Sequence, residues 1–292
     1  MKEQIKAYAR NLKIEYTGIA PADAMPELGS YLEERQAKYG GLPMTNADME
    51  TRINPAKTMP EAKSIIVCLF PYANGGGGAK NVSKYARIPD YHRVAGAYLR
   101  KICDFIREKE PNCRLMPFAD NGPLVDKYLA YRAGLGFFGK NTLLINETYG
   151  SFCFIGYIIT DLPLQADTPL ERTCQNCGAC MEHCPGKALG ENFDFCVQNC
   201  VSYITQTKTI NEDQRHILDS QPYIYGCDLC QDVCPHNRNV PKTPIPEFSV
   251  PTLQHLEKND IELLSGREFK QKYASYPFSW CGKGAVLKNF GK

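Results

Sequence analysis

A chain of 292 residues with 43% hydrophobic content can bury one large core or two smaller ones, which predicts about two domains. Thirty-four Lys and Arg against 32 Asp and Glu give a net charge of +2. That balance excludes a strongly basic nucleic-acid or membrane-surface protein, so any such partner has to be met by a local patch. The N-terminal stretch lacks the apolar centre of a signal peptide, and the longest apolar run, "SIIVCLF" at 64–70, is too short to span a bilayer. The chain therefore reads as a soluble, cytoplasmic protein with no membrane partner.

In chain order, residues 3–13 carry helical amphipathic spacing, 16–22 form a short strand and 27–39 a second helix. "SIIVCLF" is a buried strand, and "NGGGGAKN" at 74–81 is a loop with little side chain to fold around. "YHRVAGAYLRKICDFIREKE" follows as a helix, with Val94, Tyr98, Ile102, Phe105 and Ile106 at helical spacing. "CRLMPFAD" is the next strand, and "PLVDKYLAYRAG" is a helix entered at Pro123 and left at Gly134. "NTLLIN" and "SFCFIGYIITDLPL" then read as a β-hairpin turning at "ETYG". These alternating elements form an N-terminal α/β domain over residues 1–165.

The octapeptide "GLGFFGKN" at 134–141 satisfies G-x-G-x-x-G and, apart from Asn141, the P-loop pattern. Both patterns bind phosphate only when a strand precedes the glycines and a helix follows them, so that the anion meets a helix N-terminus. Here a helix precedes and a strand follows. Gly134 is read as a helix C-cap and nucleotide binding is excluded.

Fourteen cysteines set the chemistry. Cys68, Cys103, Cys113, Cys153 and Cys281 are scattered and read as buried free thiols. The other nine lie between 174 and 234, a density that in a cytosolic chain means metal ligation rather than disulfides. "CQNCGACMEHCP" spells C-x2-C-x2-C-x3-C-P with Cys174, Cys177, Cys180 and Cys184, and "CDLCQDVCP" repeats its last part with Cys227, Cys230 and Cys234. This is the run of bacterial two-cluster ferredoxins, in which the last cysteine of each run serves the other cluster. An eighth ligand is needed, and Cys196 and Cys200 stand nearby. We assign one [4Fe-4S] cluster to Cys174, Cys177, Cys180 and Cys234, and the second to Cys184, Cys200, Cys227 and Cys230, leaving Cys196 over. Structural zinc also uses C-x2-C pairs, but it gives no reason for the x3-C-P ending.

The stretch "ADNGPLVDKYLAYRAGLGFFGKNTLLI" resembles the D-[TS]-x-P-x-x-E…G-L-G-x-x-G-K-N segment of the epoxyqueuosine reductases, and "CVSYIT", "YGCDLCQDVCPHN" and "SKYARIPDYH" are similar to further motifs of that family. The resemblance runs from about residue 45 to 240. It implies an α+β chain: a reductive-dehalogenase-like domain that binds base-off cobalamin, a ferredoxin-like two-cluster domain over 166–240 and a basic tail over 241–292. The implied activity is reduction of epoxyqueuosine to queuosine at the tRNA wobble position. An external low-potential donor such as ferredoxin or flavodoxin would feed a monomeric enzyme.

The resemblance also implies residue roles. Asp120 matches the family's proton donor, which deoxygenation of an epoxide requires; the residues alone favour a helix N-cap three positions before Pro123, and the resemblance favours the acid. Arg52, Ser83, Tyr85, Lys140 and Ser202 match positions at the corrinoid. Asp90 and Tyr91 match family positions too, but a loop cap and a core tyrosine explain them equally, and His92 reads as a structural histidine. Asn121 and Asp126 depart from the family's Thr/Ser and Glu. The last 55 residues hold nine Lys or Arg against five Asp or Glu, and could touch RNA or pack on the ferredoxin-like domain. A corrinoid reductase of a small molecule and a plain electron-transfer protein are the alternative functions.

Overall fold

The computed structural model describes residues 1–41, 44 and 48–291, so residues 45–47, where the family resemblance begins, and Lys292 of the basic tail lie outside it. The chain divides into two compact units. Unit one comprises Met1–Pro71, Tyr91–Gly139 and Leu143–Gln175, and unit two Tyr72–Asp90, Lys140–Thr142 and Asn176–Lys292.

Unit one holds helices α1 (Lys2–Asn11), α2 (Pro26–Tyr39), α3 (Met49–Ile53), α4 (Tyr91–Arg107) and α5 (Asp126–Arg132), and strands β1 (Thr17–Pro21), β2 (Ser64–Pro71), β3 (Leu115–Ala119), β4 (Phe137–Phe138), β5 (Leu144–Ile145) and β6 (Cys153–Thr160). Four strands form a sheet in the order β1-β2-β6-β3, and every pairing is antiparallel. Helices and strands alternate along the chain without making parallel strands, so the unit is of the α+β kind.

Every residue of β2 is buried, which its unbroken apolar run requires, because helices cover both faces of the sheet. Ile65, Val67 and Leu69 face one core with Leu28 and Leu32 of α2 and Leu129 and Ala130 of α5. Phe70, of opposite parity, meets Tyr98 of α4. Along α4, Tyr98, Ile102 and Ile106 are buried as their spacing predicts, and Phe105 stacks on Tyr8 of α1 with ring centroids 4.2 Å apart.

The predicted hairpin is corrected. β5 pairs with β4, while β6 leaves it to lie between β2 and β3; only a bridge between Asn146 and Gly150 marks the expected turn. The six apolar residues among the eight of β6 bury more surface at the sheet centre than a two-stranded ribbon could offer. The predicted helix from Pro123 also starts later, at Asp126, with Val125 as its N-cap.

Unit two is built from short helices: α6 (Ala179–Glu182), α7 (Val201–Ile204), α8 (Glu212–Asp219), α9 (Leu229–Asp232), α10 (Lys258–Glu262), α11 (Gly266–Lys272) and α12 (Lys283–Leu287). α6 and α9, which carry Cys180 and Cys230, pack together. The segment from 241 onward supplies much of this unit's core, with Leu253, Leu256, Ile261, Phe269, Tyr273, Phe278 and Val286 clustered on Val82, Ile224 and Tyr225. Of the two readings of the basic tail, packing describes these residues.

Candidate functional site: the cysteine set and the Asp120 loop

The ferredoxin-type runs fold as two similar turns. In each, the third cysteine of the pattern lies in a four-residue helix, Cys180 in α6 and Cys230 in α9, and the cysteine before proline follows it, Cys184 and Cys234. Cys200 is the N-cap residue of α7. The thiols of Cys184 and Cys200 are electrostatic neighbours of both Cys227 and Cys230, and Cys230 also neighbours Cys180. Burial first, then repulsion from Cys200 and Cys184, pushes Cys227 up to about 12, and burial with the same neighbours raises Cys230 well above an ordinary thiol. Cys196 is absent from both environments; its thiol points to Gln198 Oε1 at 3.7 Å.

Cys227 and Cys230, whose ionisation burial and neighbouring thiols oppose, suit a cationic iron core, which stabilises thiolates. Among the described residues no three such donors close around a single metal ion. The Cys184 sulfur also accepts a hydrogen bond from Ala188 N at 3.3 Å, the kind of contact that tunes a cluster's potential. Of the other four cysteines, Cys180 and Cys234 are buried, Cys174 is half-buried and Cys177 exposed.

The other unit-two residues take varied roles. The Ser83 hydroxyl donates to Asp228 Oδ1 at 2.6 Å, and Asp228 also accepts from Lys84 N at 2.7 Å, so the Ser83 side chain anchors the residue that follows Cys227. Gly226, with φ +66°, meets this loop so closely that an added Cβ would lie 2.5 Å from Ser83 Cβ. Tyr85 lies beside Tyr225, Lys140 pairs with Glu191 at 2.8 Å, and the Ser202 carbonyl accepts from Gln206 Nε2 at 2.7 Å.

Unit one brings a second group together. Asp120 ends β3 in a left-handed conformation, φ +66°, that a non-glycine residue holds only when its surroundings demand it. Its Oδ2 accepts from Tyr91 Oη at 2.5 Å and lies 2.9 Å from His92 Nε2. Tyr91 is held by a stack on Phe154 with ring centroids 4.0 Å apart. Asp120 does not cap α5, whose N-cap is Val125. Burial works to raise its pKa, but the hydrogen bonds from His92 and Tyr91 prevail and hold it below the usual carboxylate value.

Six residues on, Asp126 is the opposite case. Burial, aided by the charge of Asp120 and opposed by Arg52, pushes its carboxyl well above the usual value. Asp126 Oδ1 and Arg52 Nε are both buried without a hydrogen-bond partner. His92, read from the sequence as a structural histidine, joins this group, and its place directly after the "DY" of "PDYH" was the available signal.

Residues 173–237 match the family described as 4Fe-4S double cluster binding domain, and residues 52–121 match Epoxyqueuosine reductase QueG, DUF1730. An epoxyqueuosine reductase of Lactococcus garvieae is 34% identical over 301 residues, covering 99% of this chain and 85% of the relative. A solved epoxyqueuosine reductase with a tRNA-Tyr epoxyqueuosine-modified stem loop is similar with TM-score 0.90 and 30% identity, covering 99% of this chain and 79% of that one. Another, from Bacillus subtilis with its aspartate catalytic loop swung out of the active site, gives 0.88 at 29% identity, covering 99% and 79%. A catabolic reductive dehalogenase shares the fold at TM-score 0.54 and 17% identity, over 98% of this chain and 35% of its own.

An α+β unit carried with a double four-iron cluster domain defines an iron–sulfur oxidoreductase. Within that class, the chain belongs to the epoxyqueuosine reductase family.

Proposed function

We propose that this protein reduces epoxyqueuosine to queuosine at the wobble position of tRNA, using two [4Fe-4S] clusters and base-off cobalamin. The observation that carries the reading is the family relation over 99% of the chain, with Asp120 and eight cysteines for two clusters present in this sequence. Cys174, Cys177, Cys180 and Cys234 hold one cluster and Cys184, Cys200, Cys227 and Cys230 the other. Arg52, Ser83, Tyr85, Asp120, Lys140 and Ser202 serve the corrinoid. The bound cofactors supply low-potential electrons at the substrate carbon. An external ferredoxin or flavodoxin replenishes them, and the enzyme acts as a cytoplasmic monomer; no described helix is long and apolar enough to cross a membrane.

Converting an epoxide to an alkene consumes two electrons and two protons and releases the oxygen as water. The chain's part is the proton at that oxygen, and Asp120 delivers it. With Tyr91 and His92 both on Oδ2, Asp120 rests ionised, and the proton it needs is shared with His92 Nε2. Delivery requires the carboxyl to turn from these partners toward substrate. The short loop 120–125, with its left-handed residue, allows that turn, and the swung-out aspartate loop of the Bacillus subtilis relative supports the same motion here. Asp126, whose carboxyl burial pushes well above the usual carboxylate value, resists becoming a second negative charge in the site.

Anaerobic turnover of epoxyqueuosine-containing tRNA, followed by nucleoside mass spectrometry, tests the reading. Queuosine appears at the expense of epoxyqueuosine. No conversion by protein loaded with both clusters and cobalamin would overturn it.

A further inference from the structure

The residues just after α12 close on the cysteine set. Cys200 opens α7, and Cys227 follows the irregular segment Ile224–Gly226; both strands of chain have to be held at one spacing for their thiols to meet. Direct contacts between them are few: Gly226 N donates to Thr205 Oγ1 at 3.0 Å, and Tyr225 Oη lies 3.2 Å from Gln206 Oε1. The link is completed by Asn289, 7% exposed, whose one amide nitrogen donates to Thr205 O at 2.7 Å and to Ile224 O at 2.8 Å. Lys288 Nζ donates to Ile204 O at 3.0 Å and to Asn289 Oδ1 at 2.6 Å, and Arg215 Nη2 ties back to Lys288 O at 2.9 Å.

Ile204 O and Thr205 O are carbonyls at the end of α7 that the helix itself leaves unpaired. Ile204 O takes the Lys288 cation together with the Thr207 hydroxyl at 3.0 Å, whereas Thr205 O is met by the Asn289 amide. Ala285 and Val286, buried in the core of unit two, fix α12 and hence the position of both residues.

We propose that Asn289, supported by Lys288, is a positioning residue for the second cluster: its side-chain amide sets the spacing between the segments that carry Cys200 and Cys227. This rests on the reading that Cys184, Cys200, Cys227 and Cys230 hold that cluster. Removing the amide leaves two buried carbonyls unpaired on the two ligand segments. A loss of that kind is large enough to raise local opening by about tenfold or more.

The test compares full-length, reconstituted wild type with Asn289→Ala, Lys288→Met and Val286→Ala, the last a core change that leaves both carbonyls paired. Iron content, electron paramagnetic resonance of the reduced clusters, cluster midpoint potentials and the rate of iron loss to a chelator are measured. In Asn289→Ala one cluster keeps its signal and potential, while the other is shifted and loses iron about tenfold or more faster than wild type. Lys288→Met moves the same cluster in the same direction by less. Equal iron loss in Asn289→Ala and Val286→Ala at matched thermal stability overturns the proposal. So does an unchanged second cluster in Lys288→Met, should Asn289→Ala fail to fold. Wild type holding a single cluster, or Cys200→Ala retaining both, overturns instead the ligand assignment.

Discussion

Asp120 and Asp126 are the same residue type six positions apart, and their surroundings drive them in opposite directions. Such divergence is how a site separates an ionised carboxylate from a neutral one. Asp120→Asn keeps the side chain's shape while removing its proton. It is expected to bind both clusters and cobalamin, to be reduced normally and to turn over slower by roughly two to four orders of magnitude; near-normal turnover of the loaded variant would leave the proton donor unidentified. The two residues also separate by pH. Asp120, lowered in the folded state, stabilises above its unfolded value of about 4, and its advantage over Asp120→Asn shrinks as pH falls through the folded value. Asp126, raised, works against folding as pH climbs above about 4, so Asp126→Asn gains on wild type between about pH 4 and neutrality. Thermal melts of the three proteins decide it: parallel curves of wild type and Asp120→Asn from about pH 4 down to about pH 2 would contradict the lowered Asp120, and parallel curves of wild type and Asp126→Asn above about pH 4 would contradict the raised Asp126. Asp120 was legible in the sequence because its motif is local. Tyr91 and His92 were not assigned to it, since they reach it only when the start of α4 packs against the end of β3, a tertiary event that no spacing announces.

The ligand runs are elements whose spacing carries the chemistry, which is why both turns could be read from the sequence. The eighth ligand was harder, because Cys196 and Cys200 are equally close along the chain. Reconstituted Cys200→Ala is expected to hold about half the iron of wild type, and Cys196→Ala all of it; the reverse result would exchange their roles. The glycine motif is likewise explained by its elements. Gly134 follows α5 at φ +69°, with Gly134 N bonded to Tyr131 O and Leu135 N to Ala130 O, both at 3.0 Å, the paired closure of a Schellman cap. An added Cβ there would lie 2.4 Å from Thr168 O. Gly134→Ala therefore costs about 1 kcal/mol for its backbone alone and more for the clash, which urea titration measures, while saturating ATP leaves the wild-type melting temperature unmoved. A rise with ATP would reinstate the phosphate reading. The hairpin was misread for a reason at the same scale. Alternation and a turn signal fix where β5 and β6 begin, but the choice of partner is made by the sheet, where β6 finds β2 on one side and β3 on the other.

Across the whole molecule, the segment from 241 onward is where composition and structure part. Eight basic residues and exposed-looking aromatics suggested an RNA contact as readily as packing, because a charge count records what a segment carries and not which of its faces is buried. In the fold, Phe248, Ile261, Phe269, Phe278 and Val286 are fully buried, while Trp280 remains 58% exposed with its Nε1 donating to Tyr225 Oη at 3.1 Å. Tyr225 precedes the Gly226–Cys227 pair, so this core sits against the backbone that carries a cluster ligand. Truncation after Ile245 removes most of the hydrophobic cluster on which Ile224 and Tyr225 rest, and large-to-small losses at single buried aromatic positions already cost about 3–5 kcal/mol. The total approaches or exceeds the roughly 5–15 kcal/mol that a domain has in all. The truncated protein is therefore expected to lose its cooperative melt and to retain well under half the iron, whatever RNA is present. A segment serving only as an RNA contact gives the contrary pattern: full iron, an unchanged melt and weaker tRNA binding alone. Trp280→Ala separates the exposed face from the core, and it is expected to leave iron content and melting temperature close to wild type, because the change removes one hydrogen bond and a half-exposed ring rather than core volume. A drop in iron content with Trp280→Ala would mean that the exposed ring, and not the buried cluster beneath it, holds the Tyr225 segment in place.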